Sequence, residues 1–568
     1  MKKFHLTTDY ALINFDASRI DSMTGILSSN SFKKVFKQFI KTLKSEKHPI
    51  LEQFHGVKAN DVIDAYKLLM VYSFEQLIEV SPRLARLVKV RTTLFEFTNL
   101  FYDYWRKLER FAAMQSPSLY SQSAKVPDLI AYADTFNAKV LGIYRTITQA
   151  ILGRPYQVYR QLPAGVNASF LYTPHTYKMG SDYDVIQHIP FVTTLLSRPP
   201  FIAYTKANTR KGLFKEIYNN PLKDLTINKL HYFVFPIKVG RLLAFTYIHR
   251  DFIHHGVGLS NLFDFASIEE YRDAKPDLIY IYGIREDEYD CTYYHDKDED
   301  VYVGFVSRAD KNDYFGYLKK MLLTLHNIAH IDRGNLPIHG AMVSIVLKNN
   351  KKKNVVIIGD SGAGKSETLE ALRAIGSDYI KQMRIIFDDM GVFTFENDQV
   401  VALGTELGAF VRLDDLDAGY AYKEIDRAIF LNPDQVNARV ILPVSSYEYI
   451  SRTHRIDMVL YANNYSDDEQ DIKLFTNVKD ALAIFTKGER LAKGTTSEVG
   501  LVASYFANPF GPVQRKAQVD ILLEKYFSRL KAQNVLLGEI YTRLAISSLA
   551  SKGPEKASEK LLQYIKEN

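Results

Sequence analysis

The sequence predicts a mixed α/β protein in which a helical region precedes two regions that contain strands. In the first 150 residues, apolar side chains recur at the spacing of one helical face. From about 150 to 330, short runs of β-branched and aromatic residues are separated by Pro, Gly and Asn. A strand, a glycine-rich turn and a helix then follow one another between 354 and 373. We therefore expect a helical region over 1–150, a mixed α/β region over 151–330 and a further mixed α/β domain over 331–568.

The composition is that of a soluble globular chain, because 46% of its 568 residues are hydrophobic and 24% are charged. The net charge of +7 is distributed along the chain, which favours binding of anionic metabolites or phosphates and argues against a nucleic-acid partner. The single cysteine, Cys291, excludes an internal disulfide and a cysteine-based zinc site, and it indicates a reducing cytoplasm.

The amino-terminal segment, MKKFHLTTDYALINFD, has two lysines, but Asp9 and Asn14 interrupt its apolar residues. We therefore expect no signal peptide. No apolar run approaches the ~20 residues that a membrane-spanning helix requires, so we also expect no membrane partner. The oligomeric state is left open by the sequence.

Two segments of the first region have a helical pattern. Apolar residues at 32, 35, 36, 39 and 40 lie on one face of a helix over 31–40. A longer amphipathic helix is expected over 83–114, where aromatic residues repeat at helical spacing. Such a stripe is typical of a helical core, and we prefer this interpretation to a docking or dimerisation surface.

In the middle region we expect strands over 232–237, 242–248 and 301–306. His249, His254 and His255 lie near Asp251 in the sequence, but their spacing is not that of a defined metal site. We interpret this group, and the charged run over 295–300, as solvated turns.

Residues 359–366 read GDSGAGKS and fit the phosphate-binding P-loop pattern G-x-x-x-x-G-K-[ST]. The apolar run 355–358 precedes them, and a helical pattern begins at Ser366, which is the context that the motif requires. Glycines let the backbone curl around phosphate oxygens, Lys365 adds a charge for the outer phosphates, and the Ser366 hydroxyl can hold Mg²⁺. The candidate nucleotide-binding residues are Gly359, Asp360, Ser361, Gly362, Ala363, Gly364, Lys365, Ser366 and Glu367.

A second apolar strand, over 384–387, ends in the adjacent carboxylates of Asp388 and Asp389. A carboxylate at the end of a strand beside a phosphate loop can balance the charge of Mg²⁺ in a nucleotide site. The two residues are therefore candidate metal ligands.

Together these segments resemble the superfamily shared by ATP-dependent phosphoenolpyruvate carboxykinase and HPr kinase/phosphorylase. The loop GDSGAGKSET, residues 338–340 and the strand end 387–389 are similar to HPr kinase. Residues 314–320 resemble the carboxykinase signature Y-x-G-x-x-K-K, and 437–443 resemble its N-T-R-V-x-Y-P segment. Residues 493–500 and 508–510 resemble its G-T-E-x-G and F-G-x-P-F region.

The resemblance implies a P-loop domain of the carboxykinase type that binds a nucleotide and a small carboxylate. It implies Mg²⁺-ATP held by 362–366 and Asp388, with the nucleotide between the last two regions. It implies a second cation, typically Mn²⁺, on Lys320, His339 and Asp389, for which the lysine must be neutral.

The implied reaction is a step of gluconeogenesis, in which oxaloacetate is decarboxylated to an enolate and ATP phosphorylates that enolate. Lys365 and Arg439 would offset charge on the transferred phosphoryl group, and Tyr314 would face the substrate carboxylate. The implied catalytic set is Lys320, His339, Lys365, Asp389 and Arg439.

The carboxykinase segment T-G-R-S-P-K-D has no clear counterpart, and Arg210 within 208–212 is the nearest candidate. One alternative is therefore an HPr-kinase-like serine kinase or phosphorylase, in which Asp388, Asp389 or His339 would assist removal of a proton from a hydroxyl acceptor. Another is a nucleotide-binding module without catalysis. The choice between ATP and GTP and the role of residues 1–150 are open.

Overall fold

The computed structural model confirms a mixed α/β protein with several sheets. It describes residues 4–6, 10–14, 22–54, 58–84, 91–107, 109–113, 126–155, 157–159, 168–197, 200–415, 425–468, 470–492, 500–550 and 552–567. The chain forms two compact units, Met1–Tyr156 and Gln157–Asn568. The three regions expected from the sequence stay a prediction.

The first unit is mainly helical. Its helices are Met23–Ser28, Asn30–Ser45, Ile50–Gln53, Ala59–Leu69, Gln76–Val80, Arg91–Lys107 and Val126–Leu152. The helix expected over 31–40 is confirmed, and its aromatic face is core, because Phe36 is fully buried and its ring centroid lies 4.9 Å from that of Phe101.

The expectation of one helix over 83–114 is wrong in part. The helix begins at Arg91, and Glu109–Ala113 is a strand. That strand pairs in parallel with Tyr10–Asn14, which in turn pairs with Phe4–Leu6. The small sheet joins segments about a hundred residues apart, and helical periodicity within one segment carries no information about such a distant partner.

The second unit contains a sheet whose central strands are nearly continuous apolar runs. In spatial order the strands are Val158–Tyr159, Phe191–Ser197, Tyr232–Val239, Leu242–His249, Leu278–Ile284, Val301–Ser307, Thr292–Asp296 and Lys215–Ile217, with Ala168–Thr173 and Asp264–Phe265 beside it. The strands expected over 232–237, 242–248 and 301–306 are confirmed. Burial on both faces explains the lack of polar alternation.

A second sheet of this unit carries the glycine-rich loop. In spatial order its strands are His454–Arg455, Gln399–Gly404, Met390–Glu396, Leu336–Leu347, Lys352–Ile358, Met458–Asn463, Leu536–Tyr541 and Ile472–Leu474, and Ile380–Phe387 also pairs with Leu336–Leu347. The strands expected before the loop and before the paired aspartates are both present. The loop leaves the end of a central strand, where neighbouring strands can surround it with side chains.

Two smaller sheets and a set of helices complete the unit. The smaller sheets consist of Gly408–Arg412, Arg439–Pro443, Ile429–Leu431 and Phe201–Ala203, and of Glu489–Leu491 and Leu501–Ala503. The helices are Ile253–Leu262, Ile268–Tyr271, Phe315–Asp332, Lys365–Ile375, Tyr447–Ile450, Val478–Lys487, Lys516–Ala532 and Lys552–Glu567. None of the helices in the described ranges has the length and apolar character needed to cross a bilayer.

Candidate functional site

The loop 359–366 has the backbone conformation that its glycines permit. Gly362 and Gly364 have φ values of 79° and 94°, in the left-handed region that favours glycine. A Cβ atom on Gly364 would lie 2.6 Å from the side chain of Thr542, so an alanine there would clash as well as strain the backbone.

Side chains from neighbouring strand ends hold the loop from outside. Thr542 Oγ1 donates to the carbonyl of Ala363 at 2.7 Å, and Asn464 Nδ2 donates to the carbonyl of Gly362 at 3.0 Å. Within the described chain, no hydrogen bond is formed by the backbone N–H groups of Gly362, Gly364, Lys365 or Ser366. These donors, at the positive end of the helix Lys365–Ile375, form a preorganised cradle for an anion.

Lys365 is buried and its ammonium group donates to the carbonyls of Gly359 at 2.7 Å and Asp360 at 3.0 Å. The side chain therefore curls back over the loop that precedes it. Glu367 lies in the first turn of the helix and Ser361 is exposed.

Asp360 has a structural contact that the motif does not predict. Its carboxylate accepts a hydrogen bond from the backbone N–H of Ser361 at 2.7 Å and lies 3.1 Å from Nε of Arg490. Burial would raise its pKa, but His339 and Arg490 hold it below the usual value. Asp360 thus contributes to loop shape through its side chain.

Asp388 lies next to the helix start, where Ser366 Oγ donates to its Oδ1 at 3.4 Å. Burial raises the pKa of Asp388 to about 6, although Lys365 opposes the shift. The carboxylate is ionised at neutral pH only at a free-energy cost, which a nearby cation would offset.

Asp389 is the centre of a second cluster. Its Oδ2 accepts hydrogen bonds from the ammonium groups of Lys319 at 2.6 Å and Lys320 at 2.8 Å, and its Oδ1 lies 3.0 Å from Nε2 of His339. The lysines come from the helix Phe315–Asp332 and the histidine from the strand Leu336–Leu347. The structure therefore brings together the three residues that the resemblance implied as ligands of one cation.

The two lysines differ in how firmly their surroundings hold the proton. Burial lowers the pKa of Lys319, but Asp389 and Glu406 more than reverse this and hold it above the usual range. Burial lowers the pKa of Lys320, and Asp389 reverses this only in part. Lys320 is therefore the lysine that loses its proton more readily.

Glu406 is a member of this cluster that the sequence analysis missed. It is buried, lies 3.0 Å from Lys319 Nζ, and burial raises its pKa against the opposing charge of that lysine. The sequence around Glu406 contains no motif that identifies it, because its proximity to Lys319 arises only from the fold. Lys319 was recognised in the sequence as part of the resemblance over 314–320, but no function was assigned to it.

His339 is fully buried, and its Nδ1 lies 2.6 Å from the backbone carbonyl of Ala507. A carbonyl can only accept, so Nδ1 carries a proton and donates it there. In the neutral ring, Nε2 then presents a lone pair to Asp389 Oδ1. Two acceptors facing each other require a cation between them or a second proton on the ring.

Tyr314 and Arg439 lie together beside this cluster. Burial raises the pKa of the Tyr314 hydroxyl, and the guanidinium groups of Arg439 and Arg210 oppose the shift. Arg439 donates to Asn437 Oδ1 at 2.9 Å, and its guanidinium lies 5.6 Å from the centre of the Phe410 ring. Its Nε is buried without a hydrogen-bond partner.

Arg210, the nearest counterpart of the missing carboxykinase arginine, also lies here. Its guanidinium is 5.3 Å from the ring centres of both Phe214 and Phe510, and it donates to the carbonyl of Gly212. Lys320 Nζ lies 4.5 Å from the same Phe510 ring. In the described part of the chain, neither Arg210 nor Arg439 forms an ion pair with a carboxylate, so two cations are available to an anionic ligand.

Part of the expected site lies outside the residues that the structure describes. Residues 493–499 of the G-T-E-x-G resemblance are not among the described residues. Phe510 from the adjoining 508–510 segment is described and contributes its ring to the site.

The interpretation of the histidine group as a solvated turn is wrong for two of its members. His249 and His255 are buried, at 2% and 0% exposure, the first at the end of the strand Leu242–His249 and the second in the helix Ile253–Leu262. His254 and His255 both contact Asp313, which lies more than fifty residues away in sequence. The spacing of the histidines in the sequence could not predict this distant partner.

No protein-family model matches the sequence, and no curated protein matches it significantly.

Proposed function

We propose that this protein transfers the γ-phosphoryl group of ATP to a small carboxylate, in a metal-dependent reaction of the phosphoenolpyruvate carboxykinase type. Oxaloacetate and ATP would give phosphoenolpyruvate, ADP and CO₂. The observation that carries the proposal is the position of Asp388 and Asp389. One lies beside Ser366 of the phosphate loop, and the other is shared by Lys320 and His339.

The residues fit a divalent cation at Asp389. Nε2 of His339 and Nζ of Lys320 both face the Asp389 carboxylate, and burial lowers the pKa of Lys320, which favours the neutral amine that a metal ligand must be. Lys320, His339 and Asp389 would hold Mn²⁺, and Ser366 with Asp388 would hold Mg²⁺. When bound, these cations would withdraw negative charge from the reacting oxygens.

The loop would bind the nucleotide phosphates through the N–H groups at 362–366. Lys365 would leave its two carbonyl contacts and neutralise charge on the outer phosphates. Because the cradle is fixed by Thr542 and Asn464, little reorganisation is required as the phosphate charge develops.

Arg210, Arg439 and Tyr314 would bind the carboxylates of the small substrate. Guanidinium groups bind carboxylates well, and these two lack a carboxylate partner among the described residues. In the reaction, the C–C bond to the departing carboxylate breaks and CO₂ leaves. The electron pair of that C–C bond stays on the remaining fragment and forms the enolate. The enolate oxygen then attacks the γ-phosphorus, and the P–O bond to ADP breaks.

The test is a screen of purified protein with ATP or GTP, Mg²⁺ and Mn²⁺, against oxaloacetate, phosphoenolpyruvate with bicarbonate, and a serine acceptor protein. We expect ADP formation that depends on oxaloacetate and falls by about 100-fold or more in Lys365→Ala. Lys381→Ala, at a partly exposed lysine that contacts Asn350, is the matched control and should retain full activity. Absence of oxaloacetate-dependent turnover with both nucleotides would refute the proposal.

A hydroxyl acceptor, as in HPr kinase, is the second candidate. The observation that favours it is the pKa of Asp388, raised to about 6 by burial, which suits a general base near neutral pH. Transfer of labelled γ-phosphate to the acceptor protein, unaffected by oxaloacetate, would support this candidate instead.

A further inference from the structure

His254, His255 and Asp313 form a second cluster, which belongs neither to the phosphate loop nor to the Asp389 group. The Nε2 atoms of His254 and His255 lie 3.0 Å and 2.9 Å from the same oxygen, Oδ1 of Asp313. Among the described residues, it is the one group of three His, Cys, Asp or Glu side chains whose donor atoms all lie within 4.8 Å of one another. We propose that this cluster is a binding site for a divalent transition metal of the Zn²⁺ class.

The donor set and its dimensions suit such an ion. Two imidazole nitrogens and one carboxylate oxygen are ligands that Zn²⁺ accepts, with metal–ligand distances of about 2.0–2.2 Å. Ligands at that distance in a tetrahedron are separated by about 3.4 Å. The two nitrogen–oxygen separations therefore need to lengthen by only about half an ångström, and the two nitrogens already lie within 4.8 Å of each other. Three protein ligands leave the fourth position open to water.

Asp313 is oriented for this role by its surroundings. Its second oxygen, Oδ2, accepts a hydrogen bond from the backbone N–H of Lys206 at 2.9 Å, which directs Oδ1 towards the histidines. The ammonium group of Lys206 is engaged elsewhere, 2.6 Å from Asp310. Within the described ranges, Asp313 forms no ion pair with a lysine or arginine, so the two imidazoles are the side chains that face its buried Oδ1.

The histidines differ in access. His255 is fully buried, whereas the His254 side chain is 19% exposed. A metal ion could therefore enter from the His254 side. Nδ1 of His255 is buried without a hydrogen-bond partner, so the contact of Nε2 with Asp313 alone selects the tautomer, and a metal that replaced this contact would leave Nδ1 to carry the proton.

The site does not depend on the proposed reaction, and the test separates the two. The full-length chain is stripped with a chelator and titrated with Co²⁺, whose visible absorption reports four-coordinate binding. Wild-type protein, His254→Gln and Asp389→Asn are compared, with His231→Gln as the matched control. His231 is a partly exposed histidine that contacts Asn228 and lies outside the cluster.

We expect a Co²⁺ absorption component that Asp389→Asn and His231→Gln retain. His254→Gln should weaken it by more than about 10-fold, because even changes behind a ligand cost 10–100-fold in metal affinity. Because the His254 side chain is partly exposed, His254→Gln should keep the fold, and thermal melting checks that it does. X-ray absorption of the Zn²⁺ form should show two imidazole ligands.

Two results would overturn the inference. One is a Co²⁺ titration without this component in the wild-type protein. The other is an unchanged component in a folded His254→Gln variant. Either would mean that the cluster is a hydrogen-bonded histidine–aspartate group only.

Discussion

Nε2 of His339 lies 3.0 Å from Oδ1 of Asp389, while Nδ1 of the same ring lies 2.6 Å from the carbonyl of Ala507. The buried ring is thus held between the Ala507 carbonyl, which accepts from Nδ1, and the Asp389 carboxylate, which Nε2 contacts directly. This relationship makes the position suitable for a cation.

His339→Gln is therefore expected to weaken Mn²⁺ binding by at least about 10-fold, because the amide cannot reproduce an imidazole Nε2 that is oriented by the Ala507 carbonyl. Electron paramagnetic resonance of free Mn²⁺ during titration measures the effect. His231→Gln is the control. Unchanged Mn²⁺ affinity in a folded His339→Gln protein would exclude His339 as a ligand.

The two adjacent lysines should respond differently to the same substitution. Lys319→Met leaves Asp389 and Glu406 without their shared cation, and breaking a buried pair in this way costs about 3–5 kcal/mol of unfolding free energy. Lys320→Met should cost less stability and instead abolish Mn²⁺ binding. Urea unfolding and Mn²⁺ titration of both variants test this contrast.

A double variant serves as the control for the lysine experiment. Lys319→Met combined with Glu406→Gln also removes the Glu406 charge, whereas Asp389 keeps its contact with Lys320, so the double variant should recover part of the lost stability. A double variant no more stable than Lys319→Met would show that Glu406 does not share the Lys319 charge.

Asp388 should make the ligand-free protein less stable as the pH rises. Its pKa is about 6 in the folded chain and 3.8 ordinarily, so the folded state binds more protons between these values. Its contribution to stability therefore falls as pH rises through that window and stays low above about 6. Asp388→Asn should raise the free energy of unfolding by about 1 kcal/mol at pH 7.5, and by less at pH 5.

Thermal melting at the two pH values, without nucleotide and metal, checks the Asp388 prediction. Added Mg²⁺-ATP should stabilise the wild-type protein more than Asp388→Asn. A variant that is less stable than wild type at pH 7.5 would contradict an unfavourably buried charge at Asp388.

Arg210 should affect the carboxylate substrate and leave the nucleotide unaffected. Arg210→Ala is expected to raise the KM for oxaloacetate by about 10-fold or more, since a charge-assisted hydrogen bond contributes about 1.5–3 kcal/mol. The Kd for ATP should not change. Arg272→Ala is the control, because Arg272 is exposed and pairs with Asp273. Equal KM values in wild type and Arg210→Ala would remove Arg210 from the substrate site.

The sequence predicted those features that are local. The loop 359–366 and its flanking strand and helix are contiguous, and the central strands are apolar runs, so each could be recognised within its own segment. The positions of Lys320, His339 and Asp389 were expected only through the resemblance, because their convergence depends on a helix and two strands from separate parts of the chain.

The features that were missed depend on distant contacts. Glu406 is marked only by its approach to Lys319, and the buried His255 only by its approach to Asp313. The small sheet of the first unit pairs Tyr10–Asn14 with Glu109–Ala113, and neither segment contains a signal for the other. Periodicity describes one element at a time, whereas these contacts are set by how elements pack.

The most direct test of the proposed reaction is phosphorus NMR of ATP and oxaloacetate mixed with the protein, Mg²⁺ and Mn²⁺. The account predicts phosphoenolpyruvate and ADP in equal amounts with the wild-type protein, and neither with Asp389→Asn. ATP that remains intact, or that yields ADP and inorganic phosphate without phosphoenolpyruvate, would contradict it.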